Sequence, residues 1–345
     1  MSRLILHIGT HKTATTSIQK FLFKNRAALA ERGVLYPDYG MIDRKAHYAQ
    51  LGMVNALSGR HRVYPVKAAE TFFSAVRKRS ADFDTTIISA EPFYRHVLND
   101  PEDSPVYTPE DYWPLRTAYI AKIRDIMGEA EVVVVFRRQA DYAQSLYQEH
   151  MKTTRYMGNF QTFLQEFWFH FVFRQQAEAW NAAFPGLRAL SFDKLLETGD
   201  VVAAFARLLG LPVQGFEPMP RANEGLPVDL VILKRMLHRT SADRDALRQK
   251  LEALQARLPA GPADALKARS FFKSLADMKA YQAGFAAENE GLRRFIAQDI
   301  GADEPLFRTD FKRDGIYGDK LKPAVLEAML DLSLSAPAPG PALEA

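Results

Sequence analysis

The chain contains no cysteine among its 345 residues. Disulfides, thiolate metal sites and a cysteine nucleophile are therefore excluded, and cysteine usage gives no information on the compartment. No apolar run approaches the roughly 18 residues that a membrane-spanning helix needs. The N-terminus also lacks the apolar run and cleavage site of a signal peptide, because Gly9 and a polar stretch interrupt its apolar residues. These features predict a cytoplasmic protein without a transmembrane segment.

A large charge of either sign is also missing. The chain has 45 Lys and Arg against 41 Asp and Glu, which gives a net charge of +4. This small excess does not favour a nucleic-acid-binding protein, and it suits a modest basic pocket for a small anionic molecule. Hydrophobic residues make up 47% of the chain and charged residues 25%, the balance of a globular protein with a sizeable core.

Short β-rich runs alternate with longer helical patterns over the first two thirds of the chain. This alternation predicts an α/β fold, with a central parallel sheet of about five strands flanked by helices. The predicted strands are 4–8, 34–36, 85–89, 132–136 and 187–192. The predicted helices are 15–32, 66–80, 110–127, 141–152 and 160–184.

Only helical periodicity remains in the last third of the chain. We therefore predict a core domain over 1–225, a helical extension packed on it over 226–334, and a Pro/Ala-rich disordered tail over 335–345. One helix of the extension is predicted over 271–297. Another carries an amphipathic stripe of leucines at spacings of four, three and four: Leu247, Leu251, Leu254 and Leu258. Three roles are open for this stripe, namely forming a homodimer, covering a substrate site and packing on the core.

The first predicted strand runs into IGTHKTATTS, residues 8–17, and then into a helical pattern. Gly9 permits a tight turn, and the N–H groups at the start of a helix carry the positive end of its dipole, so a small anion is the natural occupant. Lys12 adds a full positive charge. Hydroxyl donors follow at Thr13, Thr15, Thr16 and Ser17. The alternative is that a threonine only caps the helix and that Lys12 is a solvated surface lysine.

The P-loop that binds nucleoside triphosphates differs from this stretch in detail. That motif has two glycines separated by four residues, with Lys and Ser or Thr directly after the second glycine. Here Lys12 stands three residues after Gly9, and Ala14 precedes the threonine pair. The apolar run 132–136 ends in Arg137, where an Asp would help to bind magnesium. A magnesium-dependent kinase is therefore disfavoured, although it stays open as an alternative.

A second strand-turn-helix pattern with basic and hydroxyl groups occupies residues 132–152. Arg137 follows the strand, and Ser145 comes eight residues later, in about the first helical turn. An arginine fork and a hydroxyl that lie close together suit a phosphate group. Asp141 is predicted to cap the helix, with Gln144 three residues further on. The alternative for Arg137 is an ion pair with a local carboxylate such as Asp141.

Together the two stretches resemble the sulfotransferase family that uses 3'-phosphoadenosine 5'-phosphosulfate (PAPS). In that family an N-terminal G-x-x-[KR]-x-G-T-[TS] loop binds the 5'-phosphosulfate, and a later strand ends in Arg, with Ser eight residues on to hold the 3'-phosphate. The matching positions here are Gly9, Lys12, Thr15, Thr16, Arg137 and Ser145. Ala14 departs from the pattern because the family has glycine there, and we expect an ordinary negative φ at this residue. The resemblance covers residues 1 to about 225.

The resemblance implies a P-loop-like sulfotransferase fold and in-line transfer of the sulfuryl group of PAPS, without a metal, to a hydroxyl or amine of a carbohydrate or small molecule. It implies that residues 9–17, which include Thr10 and His11, bind the phosphosulfate. Lys12 would stabilise the charge on the departing nucleotide. Arg221, in a polar loop, is a further candidate that would close over the cofactor. The alternatives are a P-loop nucleotide or metabolite kinase and a non-catalytic nucleotide- or glycan-binding protein of the same fold.

Two residues compete as the base that removes the proton of the acceptor. Glu91 follows the predicted strand 85–89 by two residues, at the sheet edge where parallel sheets bind their ligands. His47 follows the second predicted strand by a loop, and histidine often acts as a base near neutral pH. The resemblance implies a Glu or His base in one of these two regions, and we rank Glu91 first. The alternative for Glu91 is a carboxylate that begins a turn before Pro92.

An aromatic run over residues 160–173 suits the stacking of a sugar ring. A buried helix face explains the run better, because four phenylalanines recur at spacings of three and four. They are Phe160, Phe163, Phe167 and Phe171. We predict core packing for the run, with Trp168 or Phe169 as the exception.

Overall fold

The computed structural model describes residues 2–59, 61, 63–99, 106–216, 228–238 and 269–311, with the separate positions 247, 249, 251, 316–318, 320, 321, 323, 326 and 327. The chain divides into two compact units. The first comprises Met1–Tyr142, Glu166–Asn223 and Gly284–Thr309, and the second comprises Ala143–Gln165, Glu224–Ala283 and Asp310–Ala345. The predicted tail 335–345 lies outside the described residues, and the predicted division after residue 225 stays a prediction.

The first unit is built on a five-stranded sheet in which all paired strands run parallel. The strands are β1 (Arg3–His7), β2 (Val34–Leu35), β3 (Thr85–Ser89), β4 (Glu131–Phe136) and β5 (Arg188–Ser191). Their order across the sheet is β2-β3-β1-β4-β5. Parallel neighbours need crossover connections, and the helical segments between the strands supply them. The predicted α/β fold with a central parallel sheet is confirmed.

Helices connect these strands. Between β1 and β2 lie α1 (Thr15–Lys24) and α2 (Arg26–Glu31), and between β2 and β3 lie α3 (Leu51–Leu57) and α4 (Val66–Ser80). Between β3 and β4 lie α5 (Pro92–Arg95) and α6 (Pro109–Met127). Between β4 and β5 lie α7 (Gln139–Thr153), α8 (Phe160–Glu166) and α9 (Phe173–Ala183), and α10 (Phe192–Glu197) and α11 (Val201–Leu208) follow β5.

The strands are apolar almost throughout, as expected for a parallel sheet that is covered by helices. In β4 every residue from Val132 to Phe136 is at most 1% exposed. Ile5 of β1 and Ile18 of α1 belong to one buried core cluster together with residues of β3, β4 and β5. The cluster fastens α1 to the sheet and so fixes where its N-terminus lies.

The helix predicted over 15–32 is wrong as a single element, because it breaks at Asn25. The side-chain Nδ2 of Asn25 donates to the carbonyl oxygen of Phe21 at 2.9 Å. An asparagine side chain that bonds the nearby backbone competes with helical bonding, and the chain restarts as α2.

The helix predicted over 160–184 is also broken. It ends at Glu166, passes through a 3-10 turn at Trp168–His170 and resumes as α9. Side-chain contacts hold this turn, since Trp168 Nε1 donates to the carbonyl oxygen of Tyr107 at 2.9 Å and Phe169 stacks on Tyr112 with centroids 4.6 Å apart. Core packing of the aromatic run is confirmed for Phe160, Phe163 and Phe171, which are at most 2% exposed, whereas Phe167 is half-buried. Phe169, predicted with Trp168 as the exception, is buried as well.

The C-terminal region is largely helical. The second unit contains α12 (Val228–Leu237), β6 (Arg269–Ser270) paired in parallel with β7 (Ile316–Tyr317), and α13 (Leu275–Ala283), whereas α14 (Ala286–Leu292) belongs to the first unit. The single helix predicted over 271–297 is therefore wrong. Of the leucine stripe, Leu247 and Leu251 are buried, and Leu254 and Leu258 lie outside the described residues.

Candidate functional site

The carboxyl ends of three neighbouring strands meet at the loop after β1. In the pairing of β1 with β3, His7 lies opposite Ser89, so Gly9 and Glu91 each stand two residues beyond a paired position. On its other side β1 pairs with β4. Since ligands of open parallel sheets bind outside the carboxyl ends of the strands, this edge is the candidate site.

The loop itself is held by the carbonyl oxygen of Thr10. This oxygen accepts hydrogen bonds from Thr13 Oγ1 at 2.8 Å and from Thr15 Oγ1 at 3.0 Å, and all three threonines are buried. The backbone N–H and the hydroxyl of Thr10 both donate to the carbonyl oxygen of Val135 in β4, each at 3.0 Å. Two of the hydroxyls expected to face an anion therefore stabilise the shape of the loop.

Ala14 has φ +60° and ψ 15°, so the expected negative φ at this residue is wrong. Lys12, two residues earlier, is also left-handed, with φ +64°. Ala14 is the N-cap of α1, because the N–H of Ile18 donates to its carbonyl oxygen at 3.0 Å. The chain must turn from β1 into α1 within a few residues, and left-handed residues supply that reversal. A positive φ is also a physical reason for glycine in the family pattern.

We predict that Ala14→Gly stabilises the protein. A left-handed alanine costs about 1 kcal/mol, and alanine is a poor N-cap residue. The greater freedom of glycine in the unfolded chain offsets part of the gain. The expected increase in the free energy of unfolding is about 0.5 kcal/mol, measured by urea denaturation.

The control for this variant is Ala75→Gly, in the interior of α4, which should lose about 1 kcal/mol. A loss at Ala14 as large as the loss at Ala75 would contradict the left-handed conformation.

The N-terminus of α1 has no side-chain cap from its N-cap residue, because alanine cannot supply one. The N–H groups of the first turn then present the positive end of the helix dipole without an oxygen from Ala14. Lys12, Thr16 and Ser17 lie at this end of the helix and are half-buried. These donors and this charge suit an anion.

Arg137 lies directly beyond β4 and reaches the same loop. Its Nη1 donates to the carbonyl oxygen of Lys12 at 3.3 Å, and its guanidinium lies 5.8 Å from the centroid of the Phe192 ring. Burial lowers the pKa of Arg137, although an arginine stays charged in a protein. A cation that has lost part of its water interacts more strongly with a bound anion.

Asp141 pairs with Arg138, and the predicted helix cap at Asp141 is wrong. Because α7 begins at Gln139, Asp141 lies inside its first turn. Arg138 is 2% exposed and donates to the two carboxylate oxygens of Asp141 at 3.0 and 3.1 Å. It also donates to the carbonyl oxygen of Arg308 at 3.1 Å. The local ion pair that was the alternative for Arg137 is thus formed by its neighbour.

Ser145 lies about two turns into α7 and is half-buried. It belongs to the second unit, whereas Arg137 belongs to the first. Their shared role at a 3'-phosphate stays a prediction. Arg221, the other predicted cofactor residue, lies outside the described residues.

Glu91 is the candidate base that the structure places directly against the loop. A Cβ atom on Gly9, whose φ is +106°, would lie 3.2 Å from Glu91 Cα, so the close approach and the backbone both require glycine. Glu91 is 7% exposed. Burial raises its pKa, against the opposing effects of its own backbone N–H, of the nearby polar side chains of Gln19 and Thr15, and of the charge of Arg95. A buried carboxylate of raised pKa at a strand end is suited to accept a proton.

His47, the second candidate base, lies in the segment before α3. Its Nδ1 lies 2.7 Å from the carbonyl oxygen of Ala49, which only accepts hydrogen bonds, so Nδ1 is the donor. Its ring stacks on Tyr48, with centroids 4.5 Å apart, and on Tyr39 at 5.9 Å. Contacts to the ring and to Nδ1 therefore hold His47 in a small aromatic group, and its role as a base stays a prediction.

His11 acts in the loop as a neutral acceptor. Arg95 Nε donates to His11 Nε2 at 3.2 Å. Burial, followed by the charges of Arg95, His96 and Lys12, lowers the pKa of His11 well below its ordinary value. A neutral imidazole leaves the positive charge of this region on the arginine and lysine side chains.

Gln19 and Arg95 are contacts of the site that the sequence reasoning missed. Each follows another site residue by four positions, Gln19 after Thr15 and Arg95 after Glu91. That spacing places two side chains on one face of a helix and was the signal in the sequence for Gln19 on α1.

Within the described ranges, no group of three or more His, Asp or Glu side chains has an arrangement that holds a metal ion. Among the helices that the structure describes, none combines the length and the apolar character needed to cross a membrane.

No protein-family model matches the chain, and no curated protein matches it either. Among solved structures the chain is similar to a sulfotransferase from Alicyclobacillus acidocaldarius, with a TM-score of 0.39 and 13% sequence identity. The match covers 72% of this chain and 99% of that protein.

Proposed function

We propose that this chain is a sulfotransferase that moves the sulfuryl group of PAPS to a hydroxyl, or an amine, of a carbohydrate or small-molecule acceptor. One observation supports the proposal above the others. The loop between β1 and α1, the Glu91 carboxyl beyond β3 and the Arg137 guanidinium beyond β4 come together at one edge of the sheet. This edge thus combines an anion-binding loop, a second cation and a buried carboxyl group.

The chemistry of these donors fits the phosphosulfate. The uncapped start of α1 favours an anion, and Lys12, Thr16 and Ser17 add a positive charge and hydroxyl donors. The loop is already shaped by the bonds to the Thr10 carbonyl oxygen, so little ordering is needed when an anion binds.

The second phosphate of the nucleotide is proposed to bind Arg137, and Ser145 is the further phosphate residue that the sequence predicts. The support is the position of Arg137 beside the loop and the family-like spacing of the two residues. An arginine fork is well matched to a phosphate group. The assignment makes a nucleotide with phosphates on both its 3' and 5' positions the preferred ligand.

The reaction needs two further groups from the chain. PAPS supplies a sulfuryl group joined to a phosphate leaving group. As the acceptor oxygen forms its bond to sulfur and the bond from sulfur to the bridging oxygen breaks, Glu91 takes the proton of the acceptor. Lys12 stabilises the negative charge on the departing phosphate oxygen, where a fixed cation has the largest effect on the rate.

Thermal unfolding in the presence of 3',5'-ADP, ADP and ATP tests the cofactor assignment. A ligand that binds only the folded state stabilises it by about 2.7 kcal/mol at a hundredfold excess over its Kd. We expect 3',5'-ADP to raise the unfolding temperature more than ADP or ATP at equal concentration. Equal shifts for the three would contradict the assignment, and a larger shift with magnesium and ATP would favour a kinase.

A further inference from the structure

A group of buried polar side chains lies behind Glu91. Gln19 Nε2 is 3.1 Å from Glu91 Oε2, 3.2 Å from the carbonyl oxygen of Ser89 and 3.2 Å from Ser89 Oγ. Gln19 is 1% exposed and Ser89 is fully buried. The amide of Gln19 thus bridges the end of β3 and the carboxyl group that follows it.

The orientation of this amide is set by its surroundings. A backbone carbonyl oxygen only accepts hydrogen bonds, so the nitrogen of Gln19, and not its oxygen, must face Ser89. Ser89 Oγ also lies within hydrogen-bond distance of His7 Nδ1, at 2.8 Å. Burial lowers the pKa of His7 to about 3, and a neutral histidine can accept from that hydroxyl. Glu91 therefore receives an N–H donor from Gln19.

An N–H donor favours the ionised form of a carboxyl group. Burial acts on Glu91 in the opposite direction and raises its pKa, so the donor restores part of the ionised population near neutral pH. A general base must be ionised before it can accept a proton. The amide also fixes where one carboxylate oxygen points.

We propose that Gln19 is a positioning residue that holds Glu91 ionised and oriented for proton removal from the acceptor. The inference rests on the proposed function, because it needs Glu91 as the base. It assigns to α1 two tasks, since the same helix carries the anion loop at its N-terminus and Gln19 one turn further on.

The other titratable and charged groups that face Glu91 are Arg95 on α5, Tyr142 on α7, Tyr36 after β2 and Tyr48 before α3. Arg95 favours the ionised form of Glu91, as Gln19 does. Burial raises the pKa of each of the three tyrosines, so all three stay neutral near neutral pH. Titration of these tyrosines therefore does not mask the change in pH dependence that a substitution of Gln19 causes.

The test is the pH dependence of kcat/KM for sulfuryl transfer from PAPS, measured with the best acceptor from a panel of carbohydrates and small hydroxylated molecules. Gln19→Met keeps the length of the side chain and removes the donor, so the pKa of Glu91 rises. The acidic limb of the profile should move up by about one pH unit. Gln19→Glu places a second carboxyl group beside the first and should move the limb further in the same direction.

Gln50→Met is the matched control. Gln50 is also fully buried and also bonds Ser89, since its Oε1 accepts from the Ser89 N–H at 2.9 Å and its Nε2 donates to the Pro37 carbonyl oxygen at 2.6 Å. Its loss should lower the free energy of unfolding and leave the acidic limb in place.

If the acidic limb of the kcat/KM profile does not move in Gln19→Met and activity falls equally at every pH, the Gln19 amide has only a structural role. That result would overturn the proposal. If Gln19→Met does not fold, Gln19→Asn, which keeps a polar amide but shortens its reach to Glu91, decides in the same way. Failure of the proposed function is recognised separately, by the absence of a preference for 3',5'-ADP or by full activity of Glu91→Gln.

Discussion

Lys12→Ala is expected to lower the turnover of sulfuryl transfer by about 10²- to 10³-fold, the range seen when one preorganised transition-state contact is removed. The reason is the place of Lys12 in a left-handed turn directly before α1, where its position relative to the helix N-terminus is set by the backbone. Charge on the leaving phosphate oxygen grows only as the bond to sulfur breaks. The ground-state nucleotide is held by other donors as well, so its affinity should fall by less than turnover.

The measurement is the release of 3',5'-ADP from PAPS at saturating acceptor, together with the Kd of 3',5'-ADP. Lys24→Ala, at the exposed last turn of the same helix, is the control and should keep wild-type turnover. Turnover of Lys12→Ala within a few-fold of the wild type would remove Lys12 from the role of leaving-group cation. An equal loss in affinity and in kcat/KM, with turnover at saturating PAPS unchanged, would make it a binding residue only.

Glu91→Gln should have a comparable effect on turnover, about 10²- to 10⁴-fold, because the base is lost while the size of the side chain is kept. In the wild type the acidic limb of kcat/KM should lie above the ordinary glutamate value of about 4.3, since burial raises the pKa of Glu91. Activity is then lost as the pH falls through that limb. The variant should show no such limb.

Stability gives a second readout on Glu91. A carboxyl group with a raised pKa binds its proton more tightly in the folded state than in the unfolded state. The ionised group therefore lowers stability at pH values above its folded pKa, and Glu91→Gln should raise the free energy of unfolding near neutral pH. A variant that is more stable and inactive supports a catalytic role, whereas one that is unfolded or fully active would not. In the latter case His47→Gln becomes the variant to measure.

The central sheet is the part of the fold that the sequence predicts best. Each strand is a short apolar run, and the predicted 85–89 matches β3 while the others differ by one residue at one or both ends. The reason is physical, because strands buried on both faces must be apolar throughout. The helix predicted over 66–80 likewise coincides with α4.

What the sequence could not predict depends on contacts made across the fold. The left-handed Ala14 follows from the geometry of the turn, which is constrained by the hydrogen bond between Thr10, in the loop after β1, and Val135 in β4. Arg138 forms the ion pair with Asp141 that the sequence allowed as an alternative for Arg137. The sequence alone does not show which of two neighbouring arginines pairs with the carboxylate, because that depends on which side chain tertiary packing buries beside it.

In the candidate site, too, some features were predictable from the sequence and others depend on contacts across the fold. The spacing of glycine, lysine and threonines predicts an anion loop, and parallel-sheet topology predicts that Glu91 lies at the same edge. That Gln19 turns its amide towards Glu91 is visible only when α1 is docked on the sheet. The four-residue spacing places Gln19 on the same face of α1 as Thr15, but it does not show which group the amide contacts.

The most direct test of the account is a calorimetric titration of the wild type and Arg137→Ala with 3',5'-ADP and with ADP. One charge-assisted contact to the 3'-phosphate corresponds to about a tenfold difference in Kd or more. The account predicts that the wild type binds 3',5'-ADP at least about tenfold more tightly than ADP, that Arg137→Ala loses most of this ratio, and that the exposed control Arg79→Ala keeps it. Equal affinities of the wild type for the two nucleotides, or a ratio that survives in Arg137→Ala, would contradict it.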